Sequence, residues 1–529
     1  MTNPAGPENS AAAGGAAESA AAAPEAAPEA APESPDAITV TSPTSGAVLG
    51  TVPAHTQEDT QAAFARARAA QPAWAALPIS RRREILLRYH DLVLDRQDEL
   101  LDLIQDESGK SRMSAFEEVM DVAITARHCA YAAGRLLRER SAGIRGAALP
   151  LLTRTRIQRE PVGVVGIIAP WNYPLTLAVS DGLAALAMGN TAVLKPDSQT
   201  PLTALKALDL LYEAGVPHDV FIPVTGRGTV VGQAIAQHCD FLMFTGSSAT
   251  GAELAATAGR RLIGYSAELG GKNPLIIAPD ADLARAVPGA ISACFANTGQ
   301  LCISIERIYV HAEVAAEFTQ QFVAATKALR IGPGREWTTA VGSLISSEHA
   351  RHVDELVRDA IDSGARVLTG ARPLPQLGEA FYAPTVLTDV PATARLHREE
   401  VFGPVVYIQA VASIDEAIAH ANDTDYGLNA SVWAAPATGR AIATQLHAGT
   451  VNINEGFAAA WASTGAPMGG WKRSGQGRRH GDAGLLKYTE TRTVAQQRLM
   501  PITNLTGTGA AAQARTMTSL LKAGKRILR

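Results

Sequence analysis

The chain has 529 residues with a formal net charge of −4 at pH 7, and 47% of its residues are hydrophobic while 19% are charged. This length exceeds what one hydrophobic core usually serves, so we expect at least two domains. The lack of a cationic excess argues against a nucleic-acid-binding protein, and no apolar run reaches the ~20 residues that a membrane-spanning helix needs. The four cysteines show no Cys-x-x-Cys spacing, which favours a reducing, cytoplasmic location.

The first 36 residues consist almost entirely of Ala, Pro, Glu, Gly and Ser and contain no Lys or Arg. Such a segment cannot bury enough apolar surface to offset the entropy lost on ordering, so we expect a disordered tail at 1–36. It has neither the basic start of a secretory signal nor the arginines of a transit peptide, so no targeting is predicted.

The globular pattern begins near Ile38 with a short strand and a turn. Apolar residues then recur three and four positions apart, as at Ile85, Leu86 and Tyr89, which predicts helices with one buried face. These helices are expected at 56–70, 80–107 and 115–138.

The next part of the chain alternates between apolar runs and helical patterns. This alternation is typical of a doubly wound parallel sheet, which binds ligands at the carboxyl ends of its strands, so we expect nucleotide binding. The predicted strands lie at 162–169, 191–194, 221–224, 241–244 and 262–266, and the predicted helices at 175–188, 201–214, 230–236 and 249–258.

Gly226, Gly228 and Gly232 are spaced as G-x-G-x-x-x-G, which indicates a turn that leads into a helix rather than a dinucleotide-binding loop. A second alternating unit begins with a strand at 307–310 and a helix at 314–329 and continues to about residue 450. It predicts a second α/β domain, with a catalytic cleft between the two.

The segment 501–529 contains five cationic residues and no acidic one, and four of its apolar residues could share one helix face. A basic amphipathic helix can lie on an anionic membrane, but two or three turns bind weakly. A solvated tail or a subunit-contact helix is therefore favoured. The cations are Arg515, Lys522, Lys525, Arg526 and Arg529, and the apolar residues are Leu520, Leu521, Ile527 and Leu528.

Two residues in the middle of the chain could carry chemistry. Cys302 could act as a nucleophile in its thiolate form, and Glu268 could act as a general base if it is held within reach of a proton. The pair suggests thioester chemistry. Taken alone, the pair is better explained as a buried cysteine and a glutamate that ends a strand.

The sequences around this pair are ELGGKNP at 268–274 and NTGQLC at 297–302. Together they resemble the paired signature of the NAD(P)-dependent aldehyde dehydrogenase superfamily. Further similar motifs occur in the same order, and the resemblance covers roughly residues 37–500. These motifs are PWNYP at 170–174, KP at 195–196, FTGS at 244–247, EVFGP at 400–404 and NDTDYGL at 422–428.

The resemblance implies an α/β fold with a doubly wound cofactor-binding domain, a second α/β catalytic domain and a β oligomerisation arm. The cofactor-binding domain would comprise 37–145 and 161–270, and the catalytic domain 271–480. The arm would comprise 146–160 and 481–500, and 501–529 would be a basic C-terminal tail. A homodimer or homotetramer is implied.

The resemblance also implies the chemistry. Cys302 would attack an aldehyde, and the resulting oxyanion would accept from the Asn172 side-chain amide and the Cys302 backbone N–H. Hydride would pass to the cofactor, and Glu268 would activate the water that hydrolyses the thioester. The product would be a carboxylic acid.

Eight further residues are implied to bind the cofactor. Lys195 would hold the adenosine ribose, Glu400 would hold the nicotinamide ribose, and Phe402 would pack beside the ring. Backbone amides at Gly246 and Ser247 would hold the pyrophosphate. The remaining implied cofactor contacts are Trp171, Ser198 and Leu269.

Cofactor choice depends on position 198. Enzymes of this family that prefer NAD often place Glu there, where it repels a 2′-phosphate, whereas Ser198 beside Lys195 could donate to that phosphate. We therefore expect NADP, with NAD also accepted, although the carboxylate of Asp197 is adjacent.

The motifs look most similar to the succinate-semialdehyde dehydrogenase (NADP) branch of the family. That branch often holds the substrate carboxylate with two arginines, and the corresponding residues here are Ala296 and Ser180. An uncharged aldehyde is therefore the alternative substrate, unless Arg307, Lys472 or Arg473 replaces the missing charge. The segment 457–461 could line an apolar substrate mouth.

Other functions are disfavoured. A CoA-acylating relative typically lacks the base at Glu268, and a non-catalytic protein of the same fold would be expected to have lost Cys302 or Glu268. The chain has no Gly-x-Ser-x-Gly motif, and no His, Cys and Asp grouping has metal-ligand spacing. Neither a serine hydrolase nor a metal site is expected.

Overall fold

The computed structural model describes residues 37–143, 153–498 and 509–527, so the tail predicted at 1–36 lies outside the described residues. The single helix predicted at 80–107 is two helices, because the backbone at Arg96 leaves helical geometry (φ −102°, ψ 22°). The first elements are β1 (Ala37–Thr41), β2 (Val48–Pro53), α1 (Gln57–Ala76), α2 (Ile79–Asp95), α3 (Gln97–Ser108), α4 (Arg112–Leu136), β3 (Arg140–Ser141) and β4 (Thr153–Pro161).

A parallel sheet follows, whose strands alternate with helices. Its elements are β5 (Val164–Ile168), α5 (Thr176–Ala187), β6 (Thr191–Lys195), α6 (Pro201–Ala214), β7 (Phe221–Pro223), α7 (Gln233–His238), β8 (Phe241–Thr245), α8 (Ser248–Arg261) and β9 (Gly264–Glu268). These strands lie in the order β9-β8-β5-β6-β7, so the chain reverses direction across the sheet between β5 and β8, where such sheets bind ligands. The strand predicted at 262–266 begins two residues later, since Leu262 ends α8 in the left-handed region (φ 56°).

A second sheet has seven strands in the order β12-β13-β14-β11-β10-β16-β17, parallel except for the β12–β13 pair. The α/β fold class predicted from the sequence is confirmed. The elements of this part are β10 (Asn273–Ile277), α9 (Leu283–Phe295), β11 (Ile305–His311), α10 (Ala312–Lys327), α11 (Ser347–Asp362), β12 (Arg366–Thr369), β13 (Thr385–Thr388), α12 (Arg395–Arg398), β14 (Val405–Val411), α13 (Ile414–Asn422), β15 (Tyr426–Gly427), β16 (Asn429–Trp433), α14 (Pro436–Ala443), β17 (Thr450–Ile453) and α15 (Ala458–Trp461).

The chain then returns to the first sheet. Its last elements are β18 (Trp471–Lys472), β19 (Gly475–Gln476), α16 (Gly481–Leu486), β20 (Thr489–Gln497) and α17 (Ala510–Ile527). The strand β19 pairs antiparallel with β9, and Gly475 is the register partner of Glu268. A segment from beyond the second sheet therefore lies beside Glu268.

The strands β3, β4 and β20 form a separate antiparallel sheet, in which 153–161 pairs with 489–497. Of the predicted arm, 481–486 is helical and 146–152 lies outside the described residues. The role of the arm in oligomerisation stays a prediction.

The helix α17 has 18 residues, more than the two or three turns expected, and Leu520 and Leu521 are exposed on it. None of the helices in the described ranges is both long and apolar enough to cross a membrane.

Candidate active site

The loop that carries Cys302 has unusual backbone geometry. Asn297, Thr298 and Gly299 are all in the left-handed region, with φ of 49°, 58° and 73°. A β-branched residue such as Thr298 pays a strain cost there, which is typical of functional sites. A Cβ at Gly299 would lie 2.0 Å from the Gly403 carbonyl oxygen, so glycine is required where this loop meets the 400–404 loop.

Asn273 at the start of β10 ties the two sequence motifs together. Its side-chain amide donates to the carbonyl oxygens of Cys302 (2.8 Å) and Ser304 (2.7 Å), and its Oδ1 accepts from the Asn429 backbone N–H (3.0 Å). A Cβ at Gly271 would lie 2.6 Å from the Cys302 carbonyl oxygen. The ELGGKNP and NTGQLC motifs are therefore in direct contact.

Asn172 lies in the segment that connects β5 to α5 and is buried. Its Nδ2 donates to the Gln300 carbonyl oxygen (3.1 Å), two residues before Cys302. Its own carbonyl oxygen accepts from the Lys110 Nζ (2.7 Å) and the Asn297 Nδ2 (3.0 Å). Asn172 is therefore held beside the Cys302 loop with a second amide proton left over.

Glu268 is the last residue of β9 and is buried, with 4% of its surface exposed. Its Oε1 has no hydrogen-bond partner among the described residues. Burial raises the pKa of Glu268 to about 7, and the cations of Arg479 and Lys487 limit the rise. A carboxyl group that titrates near neutral pH is well suited to general base catalysis.

Cys302 is half-buried beside a cluster of apolar side chains. Burial raises the pKa of its thiol to about 12, and the carboxylates of Glu400 and Glu268 add to the rise. The thiol is therefore protonated and must lose its proton to become a nucleophile. The cluster comprises Tyr173, Leu177, Leu301, Ile303, Leu428, Phe457 and Met468, with Ala296, Ala458 and Trp461 at its border.

Glu400 lies in the segment between α12 and β14 and faces Gly270 and Gly271 of the ELGGKNP motif. Its Oε1 accepts from the Gly271 backbone N–H (2.8 Å), and burial, with Glu306 nearby, raises its pKa to about 8. Glu306 forms a buried ion pair with Lys272 (2.6 Å) and accepts from the Phe402 backbone N–H (3.0 Å). The Lys272–Glu306 pair, which the sequence did not single out, thus fixes the loop that carries Glu400 and Phe402.

Two of the predicted cofactor residues form an aromatic contact. The rings of Trp171 and Phe402 meet edge to face at 5.5 Å, and His349 packs against Trp171 at 5.8 Å. The His349 Nε2 lies 2.8 Å from the Phe402 carbonyl oxygen. Burial lowers the pKa of His349 to about 4, so the ring is neutral and acts as a fixed wall.

Lys195 ends β6 and is buried at the carboxyl edge of the first sheet. Its Nζ donates to the Pro196 carbonyl oxygen (3.1 Å), and no carboxylate among the described residues forms an ion pair with it. The Ser198 hydroxyl donates to the Gly226 carbonyl oxygen (3.1 Å). Ser198 must give up that hydrogen bond to donate to a ligand, a constraint the sequence does not reveal.

The remaining predicted cofactor residues lie at the junction of β9 and α8. The Gly246 backbone N–H donates to the Glu268 carbonyl oxygen (3.1 Å), so this amide is already bound. The Ser247 hydroxyl caps α8 by accepting from the Thr250 backbone N–H (3.3 Å). Leu269 packs against Gly251, where a Cβ would lie 2.6 Å from the leucine Cδ2. A phosphate at this edge would meet the first turn of α8.

The sequence model of the aldehyde dehydrogenase family matches residues 30–494, which include every residue of the site described in this section. The chain belongs to the aldehyde dehydrogenase family. A Mycobacterium bovis protein, provisionally named succinate-semialdehyde dehydrogenase (NADP+) 2, is 51% identical over 456 residues, which are 86% of this chain and 88% of that protein.

Phenylacetaldehyde dehydrogenase of Pseudomonas fluorescens is 36% identical, over 87% of this chain and 93% of that protein. Among solved structures, the NAD+ complex of an aldehyde dehydrogenase from Bacillus cereus superposes with a TM-score of 0.83 at 34% identity. That match covers 87% of this chain and 93% of the other chain.

The substrate side of this aldehyde dehydrogenase has no arginine at the two positions expected for carboxylate binding. Ala296 borders the apolar cluster, and the Ser180 hydroxyl donates to the Asp121 Oδ2 (3.1 Å) in the interior. The segment 457–461, predicted to line an apolar substrate mouth, contains α15 and buried Phe457. The surroundings of Cys302 are therefore mainly apolar.

The idea that Arg307 supplies the missing charge is wrong. Arg307 is fully buried, and its guanidinium donates to the carbonyl oxygens of Lys272 (2.9 Å), His420 (3.0 Å) and Ala421 (3.0 Å). Its donors are used within the second sheet. Lys472 is exposed and its Nζ likewise donates to two backbone carbonyls, while Arg473 is exposed.

Within the described ranges of this aldehyde dehydrogenase, no group of three or more His, Cys, Asp or Glu side chains could hold a metal ion. The residues that sequence reasoning missed are those that position the site: Lys110, Asn273, Glu306 and His349. Asn273, like Lys272, the partner of Glu306, lies inside the ELGGKNP motif, and this position could have indicated its role. Lys110 and His349 carry none, because their partners are distant in sequence.

Proposed function

We propose that this protein oxidises an aldehyde to its carboxylic acid, with NADP as the hydride acceptor and a thioester on Cys302 as the intermediate. The observation that carries the proposal is that a buried carboxyl, Glu268, whose Oε1 has no hydrogen-bond partner among the described residues, acts electrostatically on the Cys302 thiol, in a loop tied to β10 by Asn273. Asn172, held against the same loop, supplies the third part of the arrangement.

In the first step, the Cys302 Sγ bonds to the aldehyde carbon as its proton is lost to a neighbouring base. The carbonyl oxygen gains negative charge, which the free proton of the Asn172 amide and the Cys302 backbone N–H can stabilise. Removing one such donor typically lowers kcat by about 100-fold or more. The strained 297–299 segment fixes the loop, so these donors are set before substrate binds.

The chain has a set of residues that fits a dinucleotide. Lys195 is a buried ammonium with one backbone acceptor, which leaves two protons for the hydroxyls of a ribose. Glu400 accepts from the Gly271 N–H through Oε1, which leaves Oε2 for the nicotinamide ribose. The Trp171–Phe402 pair forms an apolar wall. Gly246, Ser247 and Leu269 line the pyrophosphate side, and the bound cofactor would supply the hydride acceptor.

In the last step, Glu268 takes a proton from a water molecule, whose oxygen attacks the thioester carbon. The carbon–sulfur bond breaks, the acid leaves, and the Cys302 thiolate is regenerated. Glu268 is ionised in part at neutral pH, since its pKa lies at about 7, and its Oε1 has no competing hydrogen bond among the described residues.

NADP is proposed over NAD because position 198 is a serine, whose side chain brings no negative charge toward a 2′-phosphate. The name of the 51% identical M. bovis relative includes NADP, in agreement with this choice. The B. cereus structure contains NAD+, and we propose that NAD is also accepted here.

Succinic semialdehyde is the first substrate to test, because the name of the M. bovis relative specifies it. An uncharged aldehyde is the second candidate, favoured by the apolar cluster around Cys302 and by Ala296 and Ser180. A hydrophobic wall offers no charge to offset the desolvation of a carboxylate. We further propose a cytoplasmic homodimer or homotetramer in which β4 and β20 contribute to subunit contacts.

The experiment is a comparison of initial rates with NADP and with NAD, on succinic semialdehyde and on pentanal, at matched concentrations. Oxidation of either aldehyde that is lost in Cys302→Ser supports the proposed reaction. A higher kcat/KM for succinic semialdehyde selects the first candidate, and a higher kcat/KM for pentanal selects the second. Full activity of Cys302→Ser would contradict the reaction itself.

A further inference from the structure

A buried group of charges lies behind the active site and takes no part in the steps above. Asp181 on α5 accepts from the Arg479 Nε (2.9 Å), the Lys487 Nζ (3.0 Å) and the Tyr488 hydroxyl (2.9 Å). We call these four residues the Asp181 cluster. The side chain of Asp181 is 3% exposed, that of Lys487 10% and that of Arg479 12%, so the cluster is largely shielded from solvent.

The two cations of the Asp181 cluster also reach β9, which carries Glu268, and its neighbour β8. Arg479 Nη2 donates to the Thr245 Oγ1 (3.2 Å), and Thr245 is the register partner of Glu268 on the neighbouring strand β8. Lys487 Nζ donates to the Ser266 Oγ (3.3 Å) on β9. Residues two apart on a strand point to the same face, so Ser266 directs Lys487 to the Glu268 side of the sheet.

The charges in this cluster do not balance. Asp181 can neutralise one cation, while Arg479 and Lys487 bring two. Burial alone would raise the pKa of Asp181, but the two cations lower it well below its usual range, so it stays ionised. The remaining positive charge lies next to Glu268, whose Oε1 has no hydrogen-bond partner among the described residues.

Other titratable groups face the same region. Arg478 and Cys302 also face Glu268. His480 and Asp121 face Arg479; burial lowers the pKa of His480 to about 3, so it is neutral, and burial raises the pKa of Asp121 to about 7. None of them forms an ion pair with Glu268 within the described residues. The surplus positive charge of the Asp181 cluster is thus the main charge that stabilises the Glu268 carboxylate.

We propose that Arg479 and Lys487, held in place by Asp181, are positioning residues that keep Glu268 ionised in its buried pocket, so that it can accept the proton of the hydrolytic water; this rests on the proposed function. Burial raises the pKa of Glu268 to about 7, and Arg479 and Lys487 are the two groups that most oppose the rise. Asp181 limits their effect, since it neutralises one of them.

The proposal makes the cluster members act in opposite directions. Arg479→Gln or Lys487→Met removes a positive charge, which raises the pKa of Glu268 and moves the acidic limb of thioester hydrolysis to higher pH. Asp181→Asn removes a negative charge and moves that limb to lower pH. Each shift should be about one pH unit, or about tenfold in rate on the acidic side.

The experiment follows deacylation directly and needs no cofactor. The full-length enzyme is mixed with p-nitrophenyl acetate; the Cys302 thiolate displaces p-nitrophenolate and becomes acetylated. The decay of the acetyl-enzyme, in which water releases acetate and restores the thiol, is followed by quenching and intact-mass spectrometry from pH 5 to pH 9. Arg135→Gln is the matched control, because Arg135 is an exposed partner of Asp482 on the surface.

Opposite displacement of the acidic limb in Arg479→Gln and Asp181→Asn, with Arg135→Gln unchanged, is the expected result. If the acidic limb moves in the same direction in Arg479→Gln and in Asp181→Asn, or moves in neither variant, the proposal is overturned while the thioester reaction stands. If Asp181→Asn does not fold, Arg479→Lys must restore the wild-type limb that Arg479→Gln displaces, and failure to restore it overturns the proposal. A wild-type enzyme that never becomes acetylated at Cys302 would refute the proposed function and this inference together.

Discussion

Replacing Glu268 with glutamine should stabilise the folded protein at alkaline pH. The side chain is buried and its Oε1 has no hydrogen-bond partner in the described part of the chain, so the cost of taking this carboxylate out of water exceeds what the charges of Arg479 and Lys487 return. Burial raises its pKa from 4.5 to about 7. At about 1.4 kcal/mol per pH unit, this difference corresponds to about 3 kcal/mol of stability lost above pH 7.

The direction in which stability changes with pH follows from proton binding by Glu268. Between the unfolded pKa of 4.5 and the folded pKa of about 7, the folded state holds the proton that the unfolded state has lost. The stability of the wild-type protein therefore falls as pH rises through that window. Glutamine is neutral at every pH, so its advantage is largest above pH 7 and disappears below about pH 4.5.

The assay is the thermal midpoint of Glu268→Gln and of wild type, measured from pH 5 to pH 8. We expect the variant to melt a few degrees higher than wild type at pH 8 and less than about one degree higher at pH 5, since about 3 kcal/mol spreads over a large unfolding entropy and less than about a third of it remains at pH 5. Glu253→Gln, at an exposed position on α8, is the control and should show no pH-dependent gain. A gain that is equal at both pH values, or absent at pH 8, would refute the burial argument.

Three further variants probe the site. Asn172→Ala should lower kcat by about 100-fold, because one oxyanion donor is lost, while binding of the cofactor measured by fluorescence stays unchanged; a kcat within twofold of wild type would exclude that role. Ser198→Glu should raise the ratio of kcat/KM with NAD to that with NADP by at least about tenfold, and an unchanged ratio would remove position 198 from cofactor choice. Cys302→Ser should abolish turnover yet keep the thermal stabilisation by NADP, and loss of that stabilisation would indicate a damaged fold.

The alternation of strands and helices could be predicted from the sequence because the buried strands contain apolar runs, as in β6 and β8. It also placed Glu268 and Cys302, since both lie in recognisable motifs. The breaks it missed depend on single backbone torsions. Arg96 separates α2 from α3, and Leu262, which ends α8, moves the predicted start of the next strand by two residues, although neither residue type signals a turn.

The parts of the site that could not be predicted are long-range. Asp181 meets Arg479 and Lys487 across about 300 residues of chain, and no local pattern relates them. The Ser198 hydroxyl was expected to face a phosphate, yet it donates to the Gly226 carbonyl oxygen. Arg307 looked like a free cation, but three backbone carbonyls bind it in the interior. Such partners are set by tertiary packing, which a motif does not encode.

The central claim is that a thioester on Cys302 is hydrolysed with Glu268 as the base. The most direct test is the intact mass of Glu268→Gln after mixing with NADP and the better of the two aldehydes, together with the yield of reduced cofactor. We expect about one reduced cofactor per active site, followed by slow turnover, and a protein heavier by the acyl group, which disappears in the Cys302→Ser double variant. Rapid steady turnover with no acylated protein would contradict the claim.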